Sequence, residues 1–194
     1  MGNLYNFSAG CLPLKDLQSM MNSEVFVETG CFRGLSLSYA LEHNFKKCYS
    51  CDIDIEMIDF CRSQLKQFSD RLEIVHADSF TFLNELLPKL SNVASIIYYL
   101  DAHLPGLDKG QVKEVVENEF TFPLERELEI INQHRPNYAD IIICDDLRIY
   151  EDGDFDSGNW HERKRFNLSL DFTERFGYTV SKFNRDEGYF VLTK

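Results

Sequence analysis

Residues 25–36 read VFVETGCFRGLS, an apolar run that ends in an acidic residue and is followed by two glycines and the start of a helical pattern. The acid is Glu28, and the glycines are Gly30 and Gly34. Glycines at such a strand-to-helix turn let the backbone approach a ligand closely. Their spacing differs from the dinucleotide signature G-x-G-x-x-G, so a ligand without phosphates is favoured. Taken alone, the segment also fits a tight turn of no chemical meaning.

The alternation of apolar runs with helical patterns continues on both sides of this segment. Strands are predicted at residues 24–28, 47–52, 71–76, 94–101 and 139–145. Helices are predicted between them at residues 35–44, 55–68, 79–87 and 123–135. Strands that alternate with helices form a parallel sheet, and the helices cover its faces.

The C-terminal part follows a different pattern. A helix is predicted over residues 160–176, and two strands follow at residues 178–183 and 189–193. Neighbouring strands joined by so short a link must run antiparallel. We therefore predict one α/β domain over residues 1–194, with a Rossmann-like, three-layer architecture. Its seven-stranded sheet is mostly parallel, ends in a C-terminal antiparallel hairpin and carries helices on both faces.

Two segments lack a regular pattern, and both follow strands with acidic carboxyl ends. They are residues 102–120, which include a short predicted helix at 111–118, and residues 150–158, which are acidic and contain glycine. Loops at this edge of a parallel sheet commonly carry binding residues. We expect both segments to shape the substrate site. Trp160 and His161 are further candidates for its lining, with packing inside the following helix as their alternative role.

The composition restricts the classes of partner. Of the 194 residues, 44% are hydrophobic, and the formal net charge of −12 repels polyanions, which argues against nucleic acid. The sequence shows neither a leader pattern nor the roughly 18 consecutive apolar residues of a membrane helix. We therefore expect a cytoplasmic protein with no membrane partner. The oligomeric state stays open, with a homo-oligomer among the alternatives.

The cysteine pattern indicates reduced thiols. Six cysteines are present, and four of them fall in predicted strands or helices of the core. Cys48 and Cys51 form a C-x-x-C pair within a predicted strand. Residues three apart in a strand point to opposite faces, so we do not expect this pair to bind zinc.

Polar side chains also follow the second and third predicted strands. Asp52 ends the second strand, where a carboxylate accepts hydrogen bonds from both hydroxyls of a ribose, and Ile53 is placed to lie against a flat base. Asp78 and Ser79 follow the third strand, where an adenine amino group would be recognised. Capping of the next helix is an equally good role for Asp78. The joint placement at successive strand ends favours a nucleoside site.

Three motifs, ETGCFRG at residues 28–34, CDID at 51–54 and HADS at 76–79, resemble the S-adenosylmethionine motifs of class I methyltransferases and occur in the same order. The resemblance covers most of the chain and includes the terminal antiparallel hairpin. It implies an S-adenosylmethionine site formed by Glu28, Gly30, Gly34, Asp52, Ile53, Asp78, Ser79 and Asp101.

The fourth and fifth predicted strands both end in aspartates. Asp101 follows the fourth strand, and Asp145 and Asp146 follow the fifth. Adjacent parallel strands place these carboxylates at one edge of the sheet, where such crowding favours Mg²⁺ or a similar divalent ion. The arrangement resembles the metal-dependent O-methyltransferases of the catechol and macrolide-sugar types, which implies a metal that binds two substrate oxygens. Capping of helices or turns is the alternative, and Asp146 also has Arg148 as a candidate partner.

His103 and Arg148 complete the candidates for catalysis, together with Asp101. An imidazole accepts a proton near neutral pH, so His103 is a candidate general base, with a hydrogen-bonded loop histidine as the alternative. Arg148 is placed to orient a substrate carboxylate or phosphate, or to neutralise the aspartates. The segment AHLPG after Asp101 departs from the metal-dependent family.

These features predict an S-adenosylmethionine-dependent methyltransferase that acts on a hydroxyl of a small molecule, sugar-like or phenolic. One alternative is a metal-free enzyme that methylates nitrogen or protein side chains. Another is a nucleoside-binding module without turnover. A nicotinamide dehydrogenase is disfavoured by the glycine spacing and by the terminal hairpin.

Overall fold

A computed structural model of the chain describes residues 14–43, 45–103, 122–159 and 173–194. Their regular elements include five α-helices and seven β-strands. The helices are α1 (Leu14–Met21), α2 (Leu35–Glu42), α3 (Ile55–Gln64), α4 (Ser79–Leu86) and α5 (Leu124–His134). The strands are β1 (Val25–Thr29), β2 (Lys47–Asp52), β3 (Leu72–His76), β4 (Ile96–Leu100), β5 (Ile141–Cys144), β6 (Thr179–Phe183) and β7 (Tyr189–Thr193).

The strands form one sheet in the order β3-β2-β1-β4-β5-β7-β6. β1 pairs with both β2 and β4, and the five strands β1 to β5 are parallel. β7 runs antiparallel between β5 and β6. The predicted fold class and its terminal hairpin are confirmed. The strand order reverses at β1, and ligands of such sheets bind at the carboxyl end of the strands beside that reversal.

Helices cover both faces of the sheet. Adjacent residues of a strand point to opposite sides, so each strand contributes side chains to both cores. Val27 and Tyr98 pack with apolar residues of α4 and α5. Phe26 and Ile97, their neighbours in the same strands, pack with apolar residues of α2 and α3. The helices therefore form one layer on each face, as predicted.

The cysteines that the structure describes are buried. Cys48 and Cys51 lie in the cores on opposite faces of the sheet, so the C-x-x-C pair cannot share an ion. Free thiols among the described cysteines are Cys31, Cys48, Cys51, Cys61 and Cys144.

The structure differs from the predicted elements in a few places. The sequence pattern does not predict α1. The helix predicted over residues 55–68 is divided into α3 and a 3-10 turn at Lys66–Phe68. The predictions for residues 102–120 and 160–176 fall mostly outside the described ranges. Within those ranges, no helix is both long enough and apolar enough to cross a membrane.

A buried ion pair closes the edge of the sheet opposite to the strand carboxyl ends. Arg135, directly after α5, donates to both carboxylate oxygens of Asp140 at 2.6 and 2.9 Å. The guanidinium also donates to the carbonyls of Leu90 and Val93, and Asp140 accepts from the N–H of Ile96. The pair therefore joins the end of α5 to the start of β4 and β5.

Replacing Asp140 with alanine leaves the charge of Arg135 buried without its partner. We expect Asp140→Ala to lower the free energy of unfolding by about 3–5 kcal/mol, measured by urea denaturation followed by circular dichroism. The control is Arg126→Ala, which removes an exposed pair with Glu129 and should cost less than about 1 kcal/mol. Equal losses in the two variants would contradict the structural role of the buried pair.

Candidate active site

The turn after β1 adopts a backbone that requires glycine. Gly30 and Gly34 have φ angles of +83° and +71°, in the left-handed region. A Cβ atom at Gly30 would lie 2.5 Å from the carbonyl oxygen of Asp101. The N–H groups of Gly30 and Cys31 both donate to the carbonyl of Cys51 at 3.0 Å. The turn is thus held between the ends of β2 and β4, and a side chain at Gly30 would push it away from β4.

Glu28 supports this turn from inside the protein, where it is fully buried. The hydroxyls of Ser36 and Ser50 donate to its two carboxyl oxygens. Burial raises the pKa of Glu28 to about 8, although the two hydroxyls act in the opposite direction. The side chain therefore ties β1 to α2 and β2.

Asp52 and Ile53 lie at the end of β2, beside the glycine turn. The carboxylate of Asp52 accepts from the N–H of Phe32 and from the N–H of Asp54, both at 2.9 Å. Asp52 is half-buried, whereas Ile53 is 62% exposed. An oriented carboxylate and an open apolar side chain are therefore adjacent in the chain, and their contact with a nucleoside stays a prediction.

Asp78 is the N-cap of α4 at the end of β3. Its carboxylate accepts from the N–H of Thr81 at 2.9 Å and from the Thr81 hydroxyl at 2.8 Å. Burial acts to raise the pKa of Asp78, but the bonds from Thr81 outweigh it and lower the pKa. The capping role that the sequence left open is therefore present. Ser79, the first residue of α4, is buried.

The ends of β4 and β5 bring Asp101, His103 and Asp146 together. His103 Nε2 lies 3.4 Å from Asp101 Oδ1 and forms a closer ion pair with Asp146 Oδ2. One potential ligand atom of each residue lies within 4.8 Å of the other two. In the part of the chain that the structure describes, no other three such residues converge in this way. We call these three residues the Asp101 cluster.

The members of the Asp101 cluster change one another's ionisation. Burial acts to lower the pKa of His103, but the carboxylates of Asp146 and Asp101 outweigh it and raise this pKa well above its usual value. Burial acts to raise the pKa of Asp146, but the His103 imidazole holds it at about 2. Burial raises the pKa of Asp101. In the absence of a metal ion, the proton of the imidazolium therefore holds the two carboxylates together.

The Asp101 cluster also has the chemistry of a divalent cation site. Asp146 is 3% exposed, and its carboxylate interacts with both the His103 imidazole and the carboxyl group of Glu187. Buried carboxyl groups that crowd together in this way need a proton or a cation to compensate them. Asp146 also has a φ of +54°, and backbone strain of this kind is concentrated at functional sites. Two carboxylates and an imidazole therefore fit a divalent cation.

Asp145, predicted as a metal ligand, has a different partner. Its Oδ2 atom accepts from the phenol of Tyr99 at 2.5 Å, and both side chains are buried. Burial raises the pKa of Asp145 well above its usual value. The structure therefore brings together two of the three predicted ligands, Asp101 and Asp146, with His103 in the third position.

Arg148 lies in an ion pair at the C-terminal side of β5. Its Nη2 atom is 2.6 Å from the carboxylate of Glu187, and Nη1 donates to the carbonyl of Ser157 at 3.3 Å. The side chain therefore joins the end of β5 to the turn between β6 and β7. Its contact with a substrate stays a prediction. Trp160 and His161 lie outside the described residues.

Comparisons with known proteins find similarity in structure. No protein-family model and no curated protein matches the sequence. The chain is similar to a caffeoyl-CoA O-methyltransferase-like protein from Staphylococcus aureus, with a TM-score of 0.61 and 15% identity over 93% of this chain and 80% of that one. The S-adenosylhomocysteine-bound methyltransferase PaMTH1 of Podospora anserina gives 0.56 and 15% over 92% and 75%. An rRNA methylase from Streptococcus thermophilus gives 0.55 and 13% over 93% of each chain.

The chain has the class I methyltransferase fold. This confirms the resemblance inferred from the three motifs and from the terminal hairpin. In this class I methyltransferase fold the strand order reverses at β1, and the glycine turn lies directly after that strand. The turn, Asp52 and the Asp101 cluster therefore share the edge where open α/β sheets bind their ligands.

One buried acid at this edge of the methyltransferase fold was not predicted. Glu127 is 1% exposed, and burial raises its pKa to about 7 against the opposing effect of the Ser79 hydroxyl. It lies among the buried residues of α5, with Leu124, Leu128 and Ile131. An acid on the apolar side of an amphipathic helix is the sequence signal that indicates such a residue.

Glu28→Gln tests the neutral acid beneath the glycine turn of this fold. Its pKa is about 8 in the folded chain against a reference of 4.5, so between these values the folded state keeps a proton that the unfolded state releases. The free energy of unfolding should therefore fall as pH rises from about 5 to about 8, with about 1.4 kcal/mol per pH unit from this group in mid-range. Urea titrations across this range should show that Glu28→Gln lacks this contribution.

The exposed acid Glu42 on α2 provides the matched control. Glu42→Gln should keep the pH slope of the wild type. The burial of a neutral Glu28 would be refuted if the slopes of Glu28→Gln and the wild type coincided.

Proposed function

We propose that this protein binds S-adenosylmethionine at the carboxyl ends of β1 to β4 and transfers its methyl group to a hydroxyl of a small molecule. The observation that carries the proposal is the junction of the glycine turn with two other strand ends. The N–H of Phe32 binds the carboxylate of Asp52, and Gly30 lies against the carbonyl of Asp101. A similar structure, PaMTH1, holds S-adenosylhomocysteine.

Each part of the cofactor has a matching group along this edge. The two carboxylate oxygens of Asp52 suit the two hydroxyls of the ribose. Ile53, exposed beside them, offers an apolar surface to the adenine ring. Asp78 and Ser79 follow at the end of β3, on the side of the adenine amino group. The turn at Gly30 lies directly against the end of β4, and the methionine part would lie along this junction.

The Asp101 cluster supplies the chemistry that a hydroxyl acceptor needs. Methyl transfer requires in-line alignment of the hydroxyl oxygen with the methyl carbon and removal of the hydroxyl proton. The carboxylates of the cluster are the proposed proton acceptors, and the backbone carbonyl of Asp101 connects the cluster directly to the glycine turn at Gly30. A divalent cation, when bound at the cluster, supplies a Lewis acid that lowers the pKa of the substrate hydroxyl.

The charge of the chain favours a small acceptor over a nucleic acid. One of the similar structures is an rRNA methylase. In this chain, however, the formal net charge of −12 repels a polyanion. A small hydroxylated molecule, sugar-like or phenolic, meets no such repulsion and can place an oxygen at the Asp101 cluster.

Calorimetric titration with S-adenosylhomocysteine tests the cofactor site. The wild type should bind one equivalent. Asp52→Asn should bind at least about tenfold more weakly, because an amide offers one acceptor oxygen to the ribose hydroxyls where the carboxylate offers two. Asp70→Asn is the control, since Asp70 is exposed on the loop before β3, and it should bind like the wild type.

Failure of the wild type to bind S-adenosylhomocysteine would refute the proposed cofactor.

A separate assay tests the acceptor class by transfer of a labelled methyl group from S-adenosylmethionine to a panel of phenols, catechols, sugars and amines. We expect label on the hydroxylated compounds. Label on the amines alone would contradict the proposed acceptor.

A further inference from the structure

We infer that the Asp101 cluster binds a first-row transition-metal ion in preference to Mg²⁺, with His103 as a nitrogen ligand. The inference deepens the proposed function and rests on it for the role of the ion. Its starting point is that the structure assembles a different set of side chains from the three aspartates that the sequence suggested.

The spacing of the Asp101 cluster matches one ion. Its three potential ligand atoms lie within 4.8 Å of one another. Nitrogen and oxygen ligands stand about 2.0–2.2 Å from a transition-metal ion, so two ligands of one ion lie up to about 4.4 Å apart. Small side-chain adjustments therefore suffice to place all three atoms around a single cation.

The crowding of acidic groups at Asp146 is a second observation. Asp146 is almost fully buried, its Oδ2 atom is paired with His103, and its carboxylate also interacts with the carboxyl group of Glu187. Buried carboxyl groups that crowd together need a proton or a cation to compensate them. A cation at the cluster would supply this compensation and would replace the proton that now links Asp146 to His103.

The donor set determines which cation is preferred. Mg²⁺ takes oxygen ligands in an octahedral arrangement, whereas imidazole suits zinc, iron, nickel and copper. Asp145 would complete an all-oxygen set, but it is buried and bound to the Tyr99 phenol. His103 stands in its place at the cluster. As a ligand, His103 orients the ion and is not the acceptor of the substrate proton.

Titration of the chelator-treated protein with Co²⁺ and with Mg²⁺ tests this inference without any turnover. Co²⁺ is the probe because it takes nitrogen ligands readily and its visible d–d absorption reports the ligand set. We expect one equivalent of Co²⁺ to bind at least about tenfold more tightly than Mg²⁺. His103→Asn should lose at least about tenfold in Co²⁺ affinity, lose the preference over Mg²⁺ and show a changed spectrum.

His134→Asn is the matched control, because His134 lies on α5 and binds Asn84 at 3.1 Å, away from the cluster. It should keep the affinity and the spectrum of the wild type. The inference is overturned by equal affinities of the wild type for Co²⁺ and Mg²⁺, by a thiolate charge-transfer band, which would place the ion on cysteine, or by an unchanged Co²⁺ spectrum in His103→Asn. The comparison of the two ions on the wild type needs no variant to fold.

The same samples, titrated with S-adenosylhomocysteine, separate this inference from the proposed function. Binding of S-adenosylhomocysteine without selective Co²⁺ binding would overturn the metal inference alone. Selective Co²⁺ binding without S-adenosylhomocysteine binding would establish the metal site and overturn the proposed cofactor.

Discussion

The close approach of Gly30 to the carbonyl of Asp101 sets the arrangement of the whole candidate site. A Cβ atom at Gly30 would lie only 2.5 Å from this carbonyl oxygen, so only glycine lets the turn after β1 come so close to the end of β4. Because the same turn is hydrogen-bonded to the end of β2, three strand ends form one continuous surface. The end of β2, where we propose a nucleoside to bind, and the Asp101 cluster therefore adjoin across a single glycine.

Two buried acids lie near this surface, and burial raises the pKa of each toward neutral pH. Glu28 and Glu127 have pKa values raised to about 8 and about 7, both chiefly by desolvation. Charged carboxylates at these positions would cost several kcal/mol each unless a cation compensated them. Under the proposed function, the positive sulfonium group of S-adenosylmethionine would supply such compensation at this edge.

Sequence analysis predicted the order and pairing of the strands correctly, because both follow from hydrophobic periodicity and from the lengths of the links. Short apolar runs separated by helical periodicity have one arrangement available, a parallel sheet with a helix layer on each face, and the short link at residues 184–188 forces the final pair to be antiparallel. Strand ends also place Asp52, Asp101 and Asp146 at one edge of the sheet.

Side-chain partners at that edge were less predictable. Asp145 and Asp146 are adjacent in the sequence, and the pattern contains nothing that assigns one to Tyr99 and the other to His103. The left-handed backbone of Asp146 separates their directions, and such a conformation is rare outside glycine. The role of Arg148 was likewise predicted from its residue type alone. Its partner Glu187 is distant in the chain, so the sequence pattern does not indicate this ion pair.

Hydrogen exchange of backbone amides with and without S-adenosylhomocysteine tests the central claim most directly, because it locates the ligand on the fold. We expect slower exchange in the peptides that contain residues 30–34, 52–54 and 77–80, and no change over residues 135–140 at the opposite edge of the sheet. Protection at the opposite edge, or unchanged exchange at the three strand ends under saturating ligand, would contradict a cofactor site at the glycine turn.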